Sequence, residues 1–264
     1  MHLADWLALC RDAVDDVRGV LEELPHRADR ETVVGAGKGG DETTAIDAAA
    51  ERAILARFSG VDDVTVVSEE VGVVGNGGTY VVIDPIDGSL NAKRGIGFFS
   101  LSVAVASGPT MGDVHFGFVH DFGTSEQWTA SSGEGARLNG RPLDGELPRE
   151  EIEILSFEAT RTASVAEKAA AVVDLAYRLR IMGSLALSLC HLAAGRVDAV
   201  CSLKPARSVD IAAAQLLVRE RGLAIELPDA PPFAAAPLDV EGRSRVVAAG
   251  TPVLCRRLAA ALSA

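Results

Sequence analysis

The chain has 264 residues, of which 48% are hydrophobic and 23% charged. That length and apolar content support one large domain, or two intimate subdomains, and exclude a disordered tail or a fibre. With 25 Lys and Arg against 37 Asp and Glu the formal net charge is −12, which argues against a surface built to wrap a nucleic-acid backbone.

In chain order, Leu3, Trp6, Leu7, Cys10, Ala13, Val14, Val17 and Leu21 recur at helical spacing and predict an amphipathic helix over residues 3–22, stopped by Pro25. Its early acids lack the basic-then-apolar order of a signal peptide. Residues 33–40 are glycine-rich after a short strand-like pair, and 44–58 read as a second helix. Strands are expected over 64–68 and 79–83, the latter ending at Asp84. From Phe98 three runs with period-two alternation predict antiparallel strands, with turns at Gly108–Gly112 and Asp121–Gly123. Gly133–Gly140 reads as a turn and an edge strand.

Past residue 150 the pattern changes. A strand over 152–158, a helix over 164–175, a strand at 177–182 and a helix opened by Gly183 and Ser184 are expected. A strand over 197–201, a helix over 208–221, a strand over 243–249 and a last helix over 252–262 complete the reading. Helices alternating with strands around a central run of hairpins favour layered α/β with mixed sheets over a regular Rossmann sheet. The shift near residue 150 suggests one domain with subdomains of roughly 1–150 and 151–264.

Cys10, Cys190, Cys201 and Cys255 contain no CxxC pair and have no His at ligand spacing, which excludes a zinc ribbon and disfavours a disulfide framework. His26, His115, His120 and His191 also lack ligand spacing. No apolar run reaches the length of a membrane span. The expectation is a cytoplasmic protein with no nucleic-acid or membrane partner.

The strongest motif is residues 81–91, VVIDPIDGSLN, in which an apolar strand runs into Asp84 and Asp87. Two carboxylates three apart at a strand end are costly unless a cation sits between them. Mg²⁺ suits such hard oxygen ligands and binds alongside substrate phosphate. Pro85 stiffens the turn and Gly88 permits close approach of a ligand. A helix starting at Ser89 offers free N–H groups to a phosphate. An Asx turn capping a helix, with no ligand, fits the same residues.

Further acids follow or precede other elements. Ser68-Glu69-Glu70 follows a strand, Asp41 and Asp47 stand at a helix start, and Asp210 lies in the apolar string SVDIAAAQLLV. Helix capping explains some of these positions equally well, since Thr44 with Asp47 has the sense of a capping box. Acids at several element ends also suit a pocket that carries two or three divalent ions and activates water against a phosphate.

Asp41–Asp47 as DxxTxxD, Ser68–Glu70, Asp84–Ser89 as DPIDGS and Val209–Ala213 as VDIAA together resemble the inositol monophosphatase family. That family belongs with fructose-1,6-bisphosphatases in a Li⁺-sensitive, Mg²⁺-dependent superfamily. GDET at 40–43, VSEEVGVV at 67–74 and GIGFFS at 95–100 make the pattern most similar to the archaeal type that acts on both fructose 1,6-bisphosphate and inositol 1-phosphate. The late segment over 180–200 matches in character.

The resemblance implies an αβαβα sandwich, commonly a homodimer, and a small sugar or inositol phosphate as substrate. It implies two or three Mg²⁺ ions, with Mn²⁺ able to substitute, held by Glu69, Asp84, the Ile86 carbonyl, Asp87 and Asp210. Asp47 with Ser89 would orient and activate the attacking water. Gly88 and Ser89 N–H groups would cradle the phosphate. Lys38 and Asp41 would sit on a mobile loop that helps place a third ion, and Glu70 would support rather than bind the metal.

One departure bears on substrate. Animal-type members carry a Glu shortly before the late Asp, where this chain has Cys201-Ser202-Leu203-Lys204-Pro205-Ala206-Arg207. Lys204, Arg207 and Arg180 are therefore candidates for the second phosphate of fructose 1,6-bisphosphate, with Gly183 and Ser184 lining the sugar site. A dedicated inositol monophosphatase, or a 3′-phosphoadenosine 5′-phosphate or broader nucleotide phosphatase, is the alternative. GAGKGG at 35–40 lacks the P-loop GxxxxGK[ST] and has no strand–turn–helix frame.

Overall fold

The computed structural model describes residues 2–38, 42–144, 151–158 and 161–263. Helix α1 (Leu3–Glu23) and the short α2 (Arg27–Glu31) lead into an antiparallel pair, β1 (Val33–Ala36) and β2 (Glu42–Thr44), followed by α3 (Ala45–Phe58). Then come β3 (Val64–Ser68), β4 (Gly72–Gly75), β5 (Thr79–Asp87) and the short helix α4 (Ser89–Arg94). A meander follows: β6 (Ser100–Ala106), β7 (Val114–Asp121), β8 (Gln127–Ser131), β9 (Gly135–Leu138) and β10 (Arg141–Pro142). The second half runs β11 (Ile152–Glu158), α5 (Thr162–Ala169), β12 (Ala176–Arg180), α6 (Leu185–Ala193) and β13 (Ala199–Ser202). It ends with α7 (Ser208–Glu220), β14 (Ala224–Glu226), β15 (Val247–Ala249) and α8 (Pro252–Ser263).

Besides the β1-β2 pair, the described residues form two larger open sheets. The first has eight strands in the order β10-β9-β8-β7-β6-β5-β3-β4, and the second has five in the order β12-β11-β13-β15-β14. Alternation along β5 splits its side chains between two cores. Val81 and Ile83 pack with Phe116 and Phe118 against α1 and α3, while Val82 faces α6 and α7. Those two helices also bury Val200 and Ala248 of the second sheet, whose other face packs Leu155 and Phe157 against Leu254 and Leu258 of α8. The layers are therefore helices, sheet, helices, sheet, helices: the αβαβα sandwich expected from the sequence. Truncating one of these buried Leu or Phe side chains to Ala costs about 2–5 kcal/mol.

The central helices are apolar nearly all round, as a layer between two sheets requires. In α7 the run Ala212-Ala213-Ala214 is fully buried. It lets the helix approach the sheet so closely that a Cβ on Gly117 of β7 would lie 2.5 Å from the Ala213 carbonyl oxygen. This contact fixes the start of α7, and with it Asp210, against the first sheet.

Some boundaries differ from the sequence reading. The helix expected over 164–175 is α5 plus one 3₁₀ turn, Ala170–Val172. It stops early because the chain must enter β12 at Ala176, and only Val172 of this stretch is buried. The strand expected over 243–249 is regular only over Val247–Ala249, since Ser244 instead forms a bridge to Ala206. Strands β4 and β14 were not foreseen. The four cysteines are buried free thiols. No helix among the described residues is long and apolar enough to cross a membrane.

Candidate active site

The parallel pairing of β3 and β5 sets Ser68 beside Ile83, so Glu69 and Asp84 leave neighbouring strand ends on the same side. A bulge against β6 between Asp84 and Asp87 turns the end of β5, and the chain then enters α4 through Gly88. Asp210 arrives from the first turn of α7. Glu69, Asp84, Asp87 and Asp210, distant in sequence, thus line one cavity of about 310 Å³. Asp47, Ile86, Gly88, Ser89, Gly183, Lys204 and Arg207 line it as well.

The acids are held by specific donors. Asp84 Oδ1 accepts the Ile86 N–H at 3.0 Å. Asp87 Oδ2 accepts the Ala186 N–H at 2.8 Å and the Ser184 hydroxyl. Asp210 Oδ2 accepts the Arg207 N–H at 2.7 Å, which closes the N-terminus of α7. Burial nevertheless dominates. It pushes Glu69 up to about 7, against the pull of Arg207, with Asp210 adding to the rise. It pushes Asp87 up to about 7 as well, against the Ser184 hydrogen bond. Asp84 is raised well above the carboxylate range by burial and then by Glu69, Asp87 and Asp210. A group of acids that resists ionisation together marks a site that needs added positive charge.

Part of that charge comes from the chain. Arg207 is 8% exposed; its Nη2 lies 3.0 Å from Asp210 Oδ1 and its Nη1 pairs with Glu69. Burial works to lower its pKa, but Asp210 and Glu69 raise it further, so it stays charged. Arg207, a candidate for substrate phosphate from the sequence, is placed among the acids. Lys204 lines the same cavity. Arg180 is exposed on the edge strand β12, donates to the Leu179 carbonyl and is not among the cavity-lining residues.

On the other wall, Asp47 sits in the first turn of α3. Its Oδ2 accepts from the Thr44 hydroxyl at 2.6 Å and lies 3.0 Å from Lys93 Nζ. Its Oδ1 is buried with no hydrogen-bond partner among the described residues. The Ser89 hydroxyl donates to the Ile86 carbonyl at 2.9 Å. Gly88 has φ of +92°, and a Cβ there would come within 3.0 Å of the carbonyl oxygens of Gly183 and Phe98. Only glycine brings this backbone so close to the Gly183 turn. Ser184, expected to face substrate, is buried and spends its hydroxyl on Asp87. Lys38 is exposed and tied by its N–H to the Glu70 carbonyl; Asp41 lies outside the described residues.

Several residues that build the site were not singled out from the sequence. Lys93 lies four residues after Ser89 on α4, a helical spacing that gives a signal. Glu51, four after Asp47 on α3, accepts the Ser68 hydroxyl and the N–H groups of Glu70 and Val71, and so shapes the turn carrying Glu69. The Thr43 hydroxyl donates to Glu70. Glu158, at the end of the strand expected over 152–158, also lines the cavity and was not singled out.

The donor set suits a hard divalent cation. The acids facing the cavity offer oxygen only, and among the described residues neither His nor Cys lines it. The unpartnered Asp47 Oδ1 and the raised acids are what an ion and its water would satisfy. Among the described residues no three acids are yet drawn together around one ion-sized point, in keeping with the Arg207 guanidinium lying between Glu69 and Asp210. The fit is therefore one of ligand chemistry and placement around a common cavity.

The chain is similar to known proteins over nearly its whole length. The profile of the inositol monophosphatase family matches residues 7–264. A fructose-1,6-bisphosphatase/inositol-1-monophosphatase of Archaeoglobus fulgidus is 33% identical over 253 residues, covering 94% of this chain and 95% of its own. A fructose-1,6-bisphosphatase of Pyrococcus furiosus is 33% identical over 228 residues, covering 86% of each chain. Among solved structures, an inositol monophosphatase–fructose 1,6-bisphosphatase superposes with a TM-score of 0.85 at 27% identity, covering 97% of this chain and 99% of the other.

Proposed function

This chain belongs to the inositol monophosphatase family, and from that premise we propose that it hydrolyses fructose 1,6-bisphosphate to fructose 6-phosphate and also accepts inositol 1-phosphate. One observation carries the reading: Glu69, Asp84, Asp87 and Asp210 line the same cavity as the Gly88–Ser89 turn and the cation of Lys204. The names of the Archaeoglobus and Pyrococcus relatives support the choice of substrates.

Glu69, Asp84, the Ile86 carbonyl, Asp87 and Asp210 would hold Mg²⁺ or Mn²⁺. Bound there, such ions neutralise phosphate oxygens and lower the pKa of water. The chain's own groups do the rest. The N–H groups of Gly88 and Ser89 hold the phosphate oxygens at the start of α4. Asp47 Oδ1 accepts the proton of the attacking water, while Thr44 and Lys93 keep Oδ2 occupied and the carboxylate fixed. The Ser89 oxygen, anchored on Ile86, offers a second acceptor for that water. Asp87 and Asp210 stand toward the leaving-group oxygen. Lys204 meets the second phosphate of the bisphosphate. Arg207 keeps Glu69 and Asp210 in place through its two ion pairs.

Three of the acids come from the part before residue 150 and Asp210 from the part after it, so catalysis needs both subdomains. The test is phosphate release on a panel of fructose 1,6-bisphosphate, inositol 1-phosphate, 3′-phosphoadenosine 5′-phosphate and NADP. Highest kcat/KM on the first, with the second also turned over, is the expected result. Turnover confined to the two nucleotides would overturn the proposal.

A further inference from the structure

Glu158 ends β11 in the second sheet, and its carboxylate is buried. Its donors are all neutral. Oε1 accepts the hydroxyls of Ser156 at 2.9 Å and Ser188 at 2.7 Å, with the Met182 N–H at 3.4 Å. Oε2 accepts the Gly183 N–H at 2.8 Å. Buried polar oxygens need hydrogen-bond partners, so the contact of this side chain with one particular turn is informative.

That turn, Met182–Ser184, is gripped from a second side. Asn91 Nδ2 of α4 donates to the Met182 carbonyl at 2.8 Å. Gly183, at φ +91°, redirects the chain. Ser184 then caps α6, its side chain accepting the Leu187 N–H at 3.3 Å. The same Ser184 hydroxyl and the Ala186 N–H are the two donors on Asp87 Oδ2. Glu158 therefore lies two links from Asp87, across the gap between the sheets.

We infer that Glu158 is a positioning residue: by clamping the Met182–Ser184 turn it fixes the two hydrogen-bond donors that orient Asp87 toward a bound cation. The inference deepens the phosphatase reading and rests on it. A carboxylate that orients a metal ligand through its hydrogen-bond partners typically changes metal affinity about 10–100-fold when removed. A group that served folding alone would lower stability and leave the affinity of the folded protein unchanged.

The test uses the full chain, stripped with chelator and titrated with Mn²⁺ alone by calorimetry. Amide hydrogen exchange over 183–187 is followed in parallel. Glu158→Ala is expected to weaken the Asp87-dependent Mn²⁺ step by about 10–100-fold and to speed exchange at Gly183 and Ala186. Glu158→Gln, whose amide oxygen still accepts the Gly183 N–H, is expected to recover most of both. A folded Glu158→Ala protein with a wild-type Mn²⁺ isotherm overturns the inference. If that variant does not fold, Ser188→Ala, which removes one donor to Oε1, takes its place; a measurable weakening supports the clamp and an unchanged isotherm overturns it. Absence of Mn²⁺ binding by the wild-type chain would instead overturn the metal-phosphatase reading itself.

Discussion

Lys93 Nζ stands 3.0 Å from Asp47 Oδ2, joining α4, which opens on the proposed phosphate turn, to α3, which carries the proposed water-activating acid. With Thr44 on the same oxygen, only Oδ1 of Asp47 is left to act. Asp47→Asn keeps the shape and loses the proton acceptor. It is expected to lower kcat by about 10²–10⁴-fold, the usual worth of a general base, with Mn²⁺ affinity within a few-fold of wild type. Near-normal kcat would remove Asp47 from the mechanism.

Asp87 and Asp210 are predicted to hold cation rather than fold. Asp87→Asn and Asp210→Asn should each reduce turnover by about 10²-fold or more, since loss of metal stabilisation is worth several kcal/mol. Asp87→Asn also relieves a buried acid whose pKa is pushed up to about 7. Its metal-free thermal midpoint at pH 8 should therefore equal or exceed that of the parent, while the upward shift on adding Mg²⁺ shrinks. A full Mg²⁺ shift in either variant would contradict its role.

Arg207 and Lys204 are both basic and three residues apart, yet the structure gives them different work. Removing Arg207 leaves Glu69 and Asp210 without their internal counter-ion, and breaking such a buried pair costs about 3–5 kcal/mol. Arg207→Ala should unfold at markedly lower urea without divalent ions and regain stability when they are added. Lys204→Ala is then the clean test of substrate choice. Its kcat/KM should fall for fructose 1,6-bisphosphate by about 10–100-fold, the worth of one charged contact, and much less for inositol 1-phosphate. Equal losses on both substrates would contradict the second-phosphate role.

His120 supplies a pH test away from the acids of the site. It is buried on β7 with Arg18 Nη2 3.2 Å from Nε2 and Phe122 edge-on at 5.1 Å. Burial first, then Arg18, lowers its pKa from 6.5 to about 4. Folding thus favours the neutral ring. The stability it contributes is complete above pH 6.5 and is lost as pH falls toward 4. Between pH 7 and pH 4.5 the urea midpoint of His120→Gln should fall less than that of the parent. Parallel curves would show that His120 is not held neutral.

The legible parts of this molecule were those written in local pattern. The apolar run of β5 and the DPIDGS motif that closes it gave both the strand and the acids at its end. The apolar string around Asp210 gave α7, because a helix between two sheets is apolar nearly all round. Strands β4 and β14 were not legible, since each has only three or four residues, and β14 finds its partner β15 far along the chain. The position of Arg207 was half legible. Its spacing from Asp210 marks a helix start, but its pairing with Glu69 spans a separation that no local pattern encodes. Glu158 was missed because a charge closing an alternating strand reads as solvent-facing, whereas the turn that buries it comes from residues 182–184. Arg180 shows the reverse: its charge suggested the second phosphate, and it lies exposed on an edge strand.

Glu69, Asp84, Asp87 and Asp210 are proposed to make a phosphatase site only in the company of divalent cations. Phosphate release from fructose 1,6-bisphosphate, followed before chelation, after exhaustive chelation and after return of Mg²⁺, tests it most directly. The account predicts turnover, its loss, and its recovery, with no recovery in Asp87→Asn. Undiminished turnover by the fully chelated wild-type protein would contradict it.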